Sequence, residues 1–263
     1  MKYARKQKGQ DLQKGHIIEH EERKTYRLNK YISDAGVCSR READRRIEAG
    51  RVTIDGVVAV VGQRVEEDQI VAVDGQPITL DLKKVYIALN KPVGITCTTD
   101  TTIPGNISDF MNYPQMIFPI GRLDKDSSGL ILLTNDGDIV NKILREEYGH
   151  DKEYIVTVNK DITQEFVQKM QSGVKIYNPV AHKQQVTQKC DVEQIGKRTY
   201  RIILSQGLNR QIRRMTKALG YRVKSLKRVR IMNISLKDLK VGEWRYLSNE
   251  ELKEMNEIIQ RAL

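Results

Sequence analysis

The stretch PIGRLDKDSSGLILLTNDGD, Pro119–Asp138, decides how the rest of the chain is read. An extended run over Phe118–Ile120 reaches Gly121, which allows a tight turn, and an apolar strand resumes at Leu130–Thr134. Between them lies a polar loop that holds Arg122, Asp124, Lys125 and Asp126. A helix is expected to begin near Gly137. Taken alone, an Asp/Ser/Gly loop is an ordinary turn. Its surroundings set it apart.

Toward the C-terminus, β-like runs at Val85–Leu89, Tyr154–Val158 and Thr199–Leu204 alternate with helical patterns expected to start near Thr163, Asn209 and Ser248. Gly173 and Gly220 read as helix stops, and Ser248 with Glu251 forms a capping box ahead of Leu252, Met255, Ile259 and Ala262. No regular βαβ alternation appears, which argues for an α+β sheet and against a doubly wound fold. Two further segments accompany the loop. Lys152-Glu153-Tyr154 opens a strand and brings an aromatic ring to its start. QGLNRQIRRM, residues 206–215, sets Arg210, Arg213 and Arg214 at a helix start, where free N–H groups also favour anions. By default Tyr154 is a sheet core residue and these arginines belong to a basic face.

Toward the N-terminus, residues 76–84 with Pro77 read as a linker, leaving 85–263 as the larger unit. Residues 27–75 show a helical pattern at Leu28, Tyr31, Ile32 and Ala35, a stop at Gly36, and a capping box at Ser39 and Glu42. The helix that follows carries Arg40, Arg41, Arg45 and Arg46 around an Ala43/Ile47 face and ends at Gly50. Short strands follow at Val52–Ile54, Val57–Val61 and Ile70–Val73, with a turn at Asp55-Gly56. Residues 1–26 are polar and charged and read as a flexible extension.

Charge locates the partner. The net charge is +11, while Lys197 to Arg230 alone contains twelve Lys and Arg residues and no acid. A local basic stripe is the footprint of a polyanion, most often nucleic acid, or else a solvated face. No apolar run approaches the roughly 20 residues that span a bilayer, and the basic N-terminus lacks the apolar stretch of a secretory signal. Cys38, Cys97 and Cys190 lie far apart without a CxxC pair, which suits a reducing cytoplasm. His16, Glu19 and His20 spell an inverted zinc-protease motif, but they sit in a polar extension with no further ligand in view. No metal site is expected. With few histidines, acid–base or covalent chemistry falls to a carboxylate, a tyrosine or a lysine.

RLNKYISDAGVCSRREADRRIEAGRVTIDG resembles the S-four (alpha-L) RNA-binding domain, in which Arg40, Arg41 and Arg45 would meet phosphates. GRLDKDSSGL, KEY and GLNRQIRRM together resemble the catalytic loop and the second and third motifs of the RsuA/RluB/RluE/RluF family of ribosomal RNA pseudouridine synthases. GRLD and RQIR stand where a sister family has HRLD and HQIR. QGLNRQIRRM, RVRIMNISL and GEWRYLS look closest to members that act on large-subunit RNA.

The resemblance implies an α+β chain: a small alpha-L domain, then a catalytic domain whose mixed, largely antiparallel sheet is flanked by helices. It implies Asp124 as the essential carboxylate, Arg213 as its partner and Tyr154 as the ring against the flipped uracil. Arg122 would fill the space the base leaves, since a stacked base hides its glycosidic bond. Lys125, Asn209, Arg210, Gln211 and Arg214 would contact RNA. No cofactor is needed, because the uracil detaches through nitrogen and rejoins through carbon. A cytoplasmic monomer acting on large-subunit ribosomal RNA is expected, with a transfer RNA as an alternative substrate. Two other readings stand beside it: a non-catalytic ribosome-assembly protein, and a glycoside hydrolase using Asp124 and Asp126. The flanking arginines and the 6% aromatic content speak against the second.

Overall fold

The computed structural model describes residues 25–80, 83–144 and 149–262; the extension before Thr25, with its His16/Glu19/His20 motif, lies outside them. The first unit runs β1 (Thr25–Arg27), α1 (Leu28–Asp34), α2 (Arg40–Glu48), β2 (Val52–Ile54), β3 (Val57–Val58), β4 (Arg64–Glu66), β5 (Val71–Val73) and β6 (Gln76–Ile78). Leu28, Ile32, Ala43, Ile47, Val52, Val65 and Val71 form its core. Ser39 Oγ accepts from the Glu42 N–H at 3.3 Å. The Glu42 carboxylate pairs with Arg45 and Arg46 at 3.2 and 3.6 Å, one helical turn on. Only half of the expected capping box is thus realised on these contacts. Strands β3-β2-β5-β6 form one antiparallel sheet, and β1 pairs with β4. Residues 76–84, expected to be a linker, therefore begin as an edge strand. Pro77 fits there because an edge leaves one side of the backbone unpaired.

The second unit runs β7 (Tyr86–Lys91), α3 (Ile107–Met111), β8 (Phe118–Ile120), β9 (Ser128–Thr134), α4 (Gly137–Leu144), β10 (Lys152–Val158), α5 (Gln164–Ser172), β11 (Lys175–Asn178) and β12 (Lys183–Val186). It continues with β13 (Asp191–Gly196), β14 (Thr199–Leu204), α6 (Gln211–Ala218), β15 (Val223–Ile231), β16 (Ile234–Ser235), β17 (Trp244–Tyr246) and α7 (Asn249–Ala262). One large sheet has the order β13-β14-β10-β15-β9-β7-β17, with β8 beside β9 and β16 beside β15. Its ladders are antiparallel except where β15 meets β9, which run parallel over two residue pairs. Strand alternation sends Ile87, Leu89, Ile131 and Leu133 to one face, under α3, α5 and α6. Tyr86, Ala88, Leu130 and Leu132 go to the other, under α4 and α7.

The capping box before α7 forms in full: Glu251 N–H donates to Ser248 Oγ at 3.2 Å, and Ser248 N–H donates to the Glu251 carboxylate at 2.9 Å. Helix α1 of the first unit touches the second through Lys30, which pairs with Asp34 and reaches Asp138 at 3.4 Å.

The register places one row of residues across five strands. Ile202 pairs with Tyr154, Tyr154 with Arg228, Arg228 with Gly129, and Gly129 with Lys91. Residues paired in register share a face. Tyr154 and Arg228 of this row share a cleft with Arg122, Asp124, Arg210 and Arg213 from the β8–β9 loop and the start of α6.

Candidate active site

A cleft of about 440 Å³ opens over that row, lined by Arg122, Asp124, Tyr154, Arg210, Arg213 and Arg228 together with Leu123, Ile212 and Leu226. Asp124 stands on the loop between β8 and β9, its backbone carbonyl accepting from the Ser127 N–H at 3.0 Å. Two guanidinium groups from the start of α6 face its carboxylate, Arg210 at 3.4 Å and Arg213 at 3.7 Å. Arg213 is fixed by donating to the Asp126 carbonyl and the Ser127 hydroxyl, each at 2.9 Å. Tyr154 is buried at the start of β10 and forms an apolar wall of the cleft.

Asp126 serves a different purpose. It takes a two-pronged pair from Arg210 at 3.0 and 2.8 Å, a geometry that fixes the guanidinium plane. That pairing, with the Arg213 charge, holds the Asp126 carboxyl below its ordinary range. The two carboxylates are therefore cross-linked to α6 by arginines, an arrangement unlike the opposed acid and base of a glycoside hydrolase. Arg210 itself caps α6 in the left-handed region, at φ +51.

Arg122 and Lys125 are exposed at the mouth of the loop, as is Asn209 before α6. Arg214 is half-buried and donates to the Asn209 carbonyl and side chain at 3.0 and 3.2 Å. Gln211, expected among the RNA-contacting residues, is buried. Its amide donates to Gln206 at 2.9 Å and accepts from the Leu208 N–H at 3.1 Å. It shapes the loop before α6, because the turn needs its own polar groups satisfied. Arg40, Arg41 and Arg45 are exposed on α2 of the first unit. Asp100, on the loop after β7, is held below its ordinary range mainly by Thr102 hydrogen bonds, with the Arg45 charge contributing.

The basic stripe of the sequence is redistributed in space. Arg198 pairs with Asp161, Arg201 with Glu193 and Arg230 with Glu153, at 2.7 to 2.9 Å. Arg210, Arg213, Lys217 and Arg222 remain together, and with Tyr221 they line a second cleft of about 540 Å³ whose walls contain no carboxylate. Arg228 leaves the surface altogether.

The burial of two basic residues escaped the sequence reading. Arg228 is 4% exposed, and Lys91 is completely buried. Burial pulls the Lys91 ammonium down to about 8, against the opposing pull of nearby groups that include Asp124. Its Nζ donates to the carbonyls of Pro92 and Ile95 at 2.8 and 2.9 Å. For Arg228 the masked signal was strand β15, whose VKSLKRVRI pattern carries four charges that hide the alternation; for Lys91 the expected strand Val85–Leu89 stopped short of the end of β7. Asp136, another buried carboxylate, does not line the cleft; it accepts from the Tyr86 hydroxyl at 2.6 Å and from the Asp138 N–H at the start of α4. Among the described residues no group of three or more His, Cys, Asp or Glu side chains could hold a metal ion.

A carboxylate facing two guanidinium groups, beside an aromatic wall and a basic cleft lined by Lys217 and Arg222, suits a nucleotide whose base is turned out of its strand. Comparison with known proteins gives the family. The family model for RNA pseudouridylate synthase matches residues 85–218, and the S4 domain model matches residues 27–71. The dual-specificity RNA pseudouridine synthase RluF of Escherichia coli K12 is 52% identical over 240 residues, covering 90% of this chain and 80% of its own length. The ribosomal large subunit pseudouridine synthase B of Bacillus subtilis is 36% identical over 236 residues, covering 87% and 95%. A crystal structure of a pseudouridylate synthase superposes with a TM-score of 0.64 at 27% identity, over 87% of this chain and 99% of that one.

Proposed function

The chain belongs to the RNA pseudouridylate synthase family, with an S4 domain ahead of the catalytic part, and from that membership we propose that Asp124 drives isomerisation of a uridine in large-subunit ribosomal RNA. The observation that carries this reading is the Asp124 carboxylate, set between Arg210 and Arg213 in the cleft that Tyr154 walls. In the reaction the N1–C1′ bond breaks, the uracil turns, and a C5–C1′ bond forms. The C5 proton leaves and N1 gains one, so no electrons are exchanged and no cofactor is required.

Asp124 acts on the ribose or the base, and Arg213 orients it. Tyr154 packs on the extruded uracil, and Arg122 enters the gap left in the helix. Extrusion costs a few kcal/mol, which these contacts offset. Lys125, Asn209, Arg210 and Arg214 hold the strand on either side, with the Lys217/Arg222 cleft as its continuation. Residues 27–75 anchor the RNA through Arg40, Arg41 and Arg45, leaving the catalytic unit to begin near residue 85. The dual specificity named for the E. coli relative supports a second RNA substrate here, for which a transfer RNA is the candidate. The free cysteines suit a cytoplasmic enzyme, working as a monomer.

The test is Asp124→Asn. It is expected to abolish tritium release from RNA labelled at uridine C5 while RNA affinity stays near that of the parent. Substantial turnover by the purified variant would remove Asp124 from the mechanism.

A further inference from the structure

The loop that carries Asp124 is held at both ends by one side chain. Arg228 Nε donates to the Leu130 carbonyl at 2.7 Å, at the loop's exit into β9, and Nη1 donates to the Arg122 carbonyl at 3.4 Å, at its entry. We propose that Arg228 is the positioning residue of the catalytic loop, the group that fixes Asp124 relative to Tyr154 and the bound nucleotide. This inference rests on the role given to Asp124 above.

Three observations support it. First, Arg228 lies between the two strands that carry the walls of the cleft. Its backbone pairs with Gly129 on the loop side and with Tyr154 on the other. Second, the guanidinium is buried and binds carbonyls, with no carboxylate partner among the described contacts, while Lys91 lies close enough to feel its charge. Two neighbouring buried cations are unfavourable, and an apolar side chain of similar volume would be tolerated more easily by the fold alone. The geometry accounts for the charge: a hydrocarbon has no donor to offer, and an ammonium, though it can donate to two carbonyls as Lys91 does, lacks the rigid planar fork that spans the loop's entry and exit. Third, Nη2 is buried and makes no hydrogen bond among the described residues, so the guanidinium lends an unspent donor and its charge to the wall of the cleft. A fixed charge there acts on anions in the cleft without reorganising.

The experiment uses the full chain with Arg228→Lys and Arg228→Met, measuring single-turnover rate at saturating RNA, RNA affinity at matched salt, and amide exchange across residues 120–131. Arg228→Met is expected to lower the rate about 100-fold, the scale of a small misplacement of reacting groups, with RNA affinity nearly unchanged. Arg228→Lys is expected to recover about tenfold of that loss, because an ammonium keeps the charge and one of the two carbonyl contacts. Exchange should quicken in the loop and not in β7 or β14. A merely structural role would instead lower the amount of folded protein and leave the rate of the folded fraction intact. Should Arg228→Met fail to fold, Arg228→Lys carries the test: a rate equal to the parent, or a loss seen only in RNA affinity, overturns the proposal. If Asp124→Asn is inactive while Arg228→Lys is as fast as the parent, only this inference falls; an active Asp124→Asn variant removes both.

Discussion

Placing a methyl group on Gly129 attacks the seam that fastens the catalytic loop. Gly129 adopts φ +107, and a Cβ built there would lie 2.1 Å from the Arg228 carbonyl oxygen and 2.6 Å from its nitrogen. Both are backbone atoms, so no rotamer change gives relief and β15 must move away from β9. The backbone conformation costs an alanine about 1–3 kcal/mol, and forcing a methyl into a packed junction costs about 1–3 kcal/mol more. Gly129→Ala is therefore expected to lose about 2–6 kcal/mol, a large part of the about 5–15 kcal/mol that holds a typical domain.

Gly121→Ala, at the other end of the same loop, has φ +77 but meets only the Leu144 side chain, its Cδ2 at 2.8 Å. That side chain can turn, so about 1–2 kcal/mol for the left-handed conformation is expected. Gly207→Ala, with nothing within 4 Å of the new methyl, is the control. Urea unfolding gives the three stabilities, and tritium release under conditions where each variant is folded gives the rates. The activity of Gly129→Ala should fall further than its folded fraction, since Arg228 moves with β15. A loss below about 1 kcal/mol, or a larger one for Gly121→Ala, would refute the reasoning.

Glu251 ties the start of α7 to the sheet. Burial pushes its carboxyl up, but two Arg245 hydrogen bonds at 2.7 and 2.8 Å, the Ser248 N–H and Lys237 outweigh this and bring it to about 2. A carboxyl lowered by folding stabilises fully above its ordinary 4.5 and loses that contribution as pH falls toward about 2. The chain is thus expected to lose about 3 kcal/mol across that window, and Glu251→Gln should lack this component in acid unfolding curves; parallel curves for both would contradict it. Neutralising Arg41 and Arg45 together is expected to weaken RNA binding and reduce its salt slope by about two charges, with turnover at saturation little changed. Unaltered affinity at low salt would exclude α2 as the RNA anchor. Arg122→Ala is expected to slow reaction on a structured stem-loop more than on an RNA whose target uridine is already unstacked; equal losses in single-turnover rate would rule out the wedge role.

Several features could be read directly from the chain. The polar loop between two apolar strands, the capping box at Ser248 and Glu251, and the helix stops at Gly173 and Gly220 are local signals, each set within a few residues. The family resemblance, not local chemistry, brought Asp124, Tyr154 and the arginines that open α6 forward as candidates, because motif order and residue type survive without knowledge of contacts; the fold lines one cleft with them. The first capping box shows the limit: Ser39 and Glu42 are correctly spaced, yet Arg45 and Arg46 draw the carboxylate to themselves.

What the sequence determined by itself, then, is the set of segments that come to line the cleft and the charged side chains they contribute. The tertiary structure decided which of those charges are surface and which are buried. Arg198, Arg201 and Arg230 read as one basic stripe with Arg228, but Arg198 and Arg230 meet carboxylates far away in the chain, Arg201 meets Glu193 across a hairpin, and Arg228 enters the interior. Only the sheet order brings residues 91, 129, 154, 202 and 228 into one row, since pairing between strands joins positions far apart in the chain that no local period encodes. The glycine at position 129 is legible as a turn signal in the sequence. It is the approach of a second backbone, from a strand much later in the chain, that makes it indispensable.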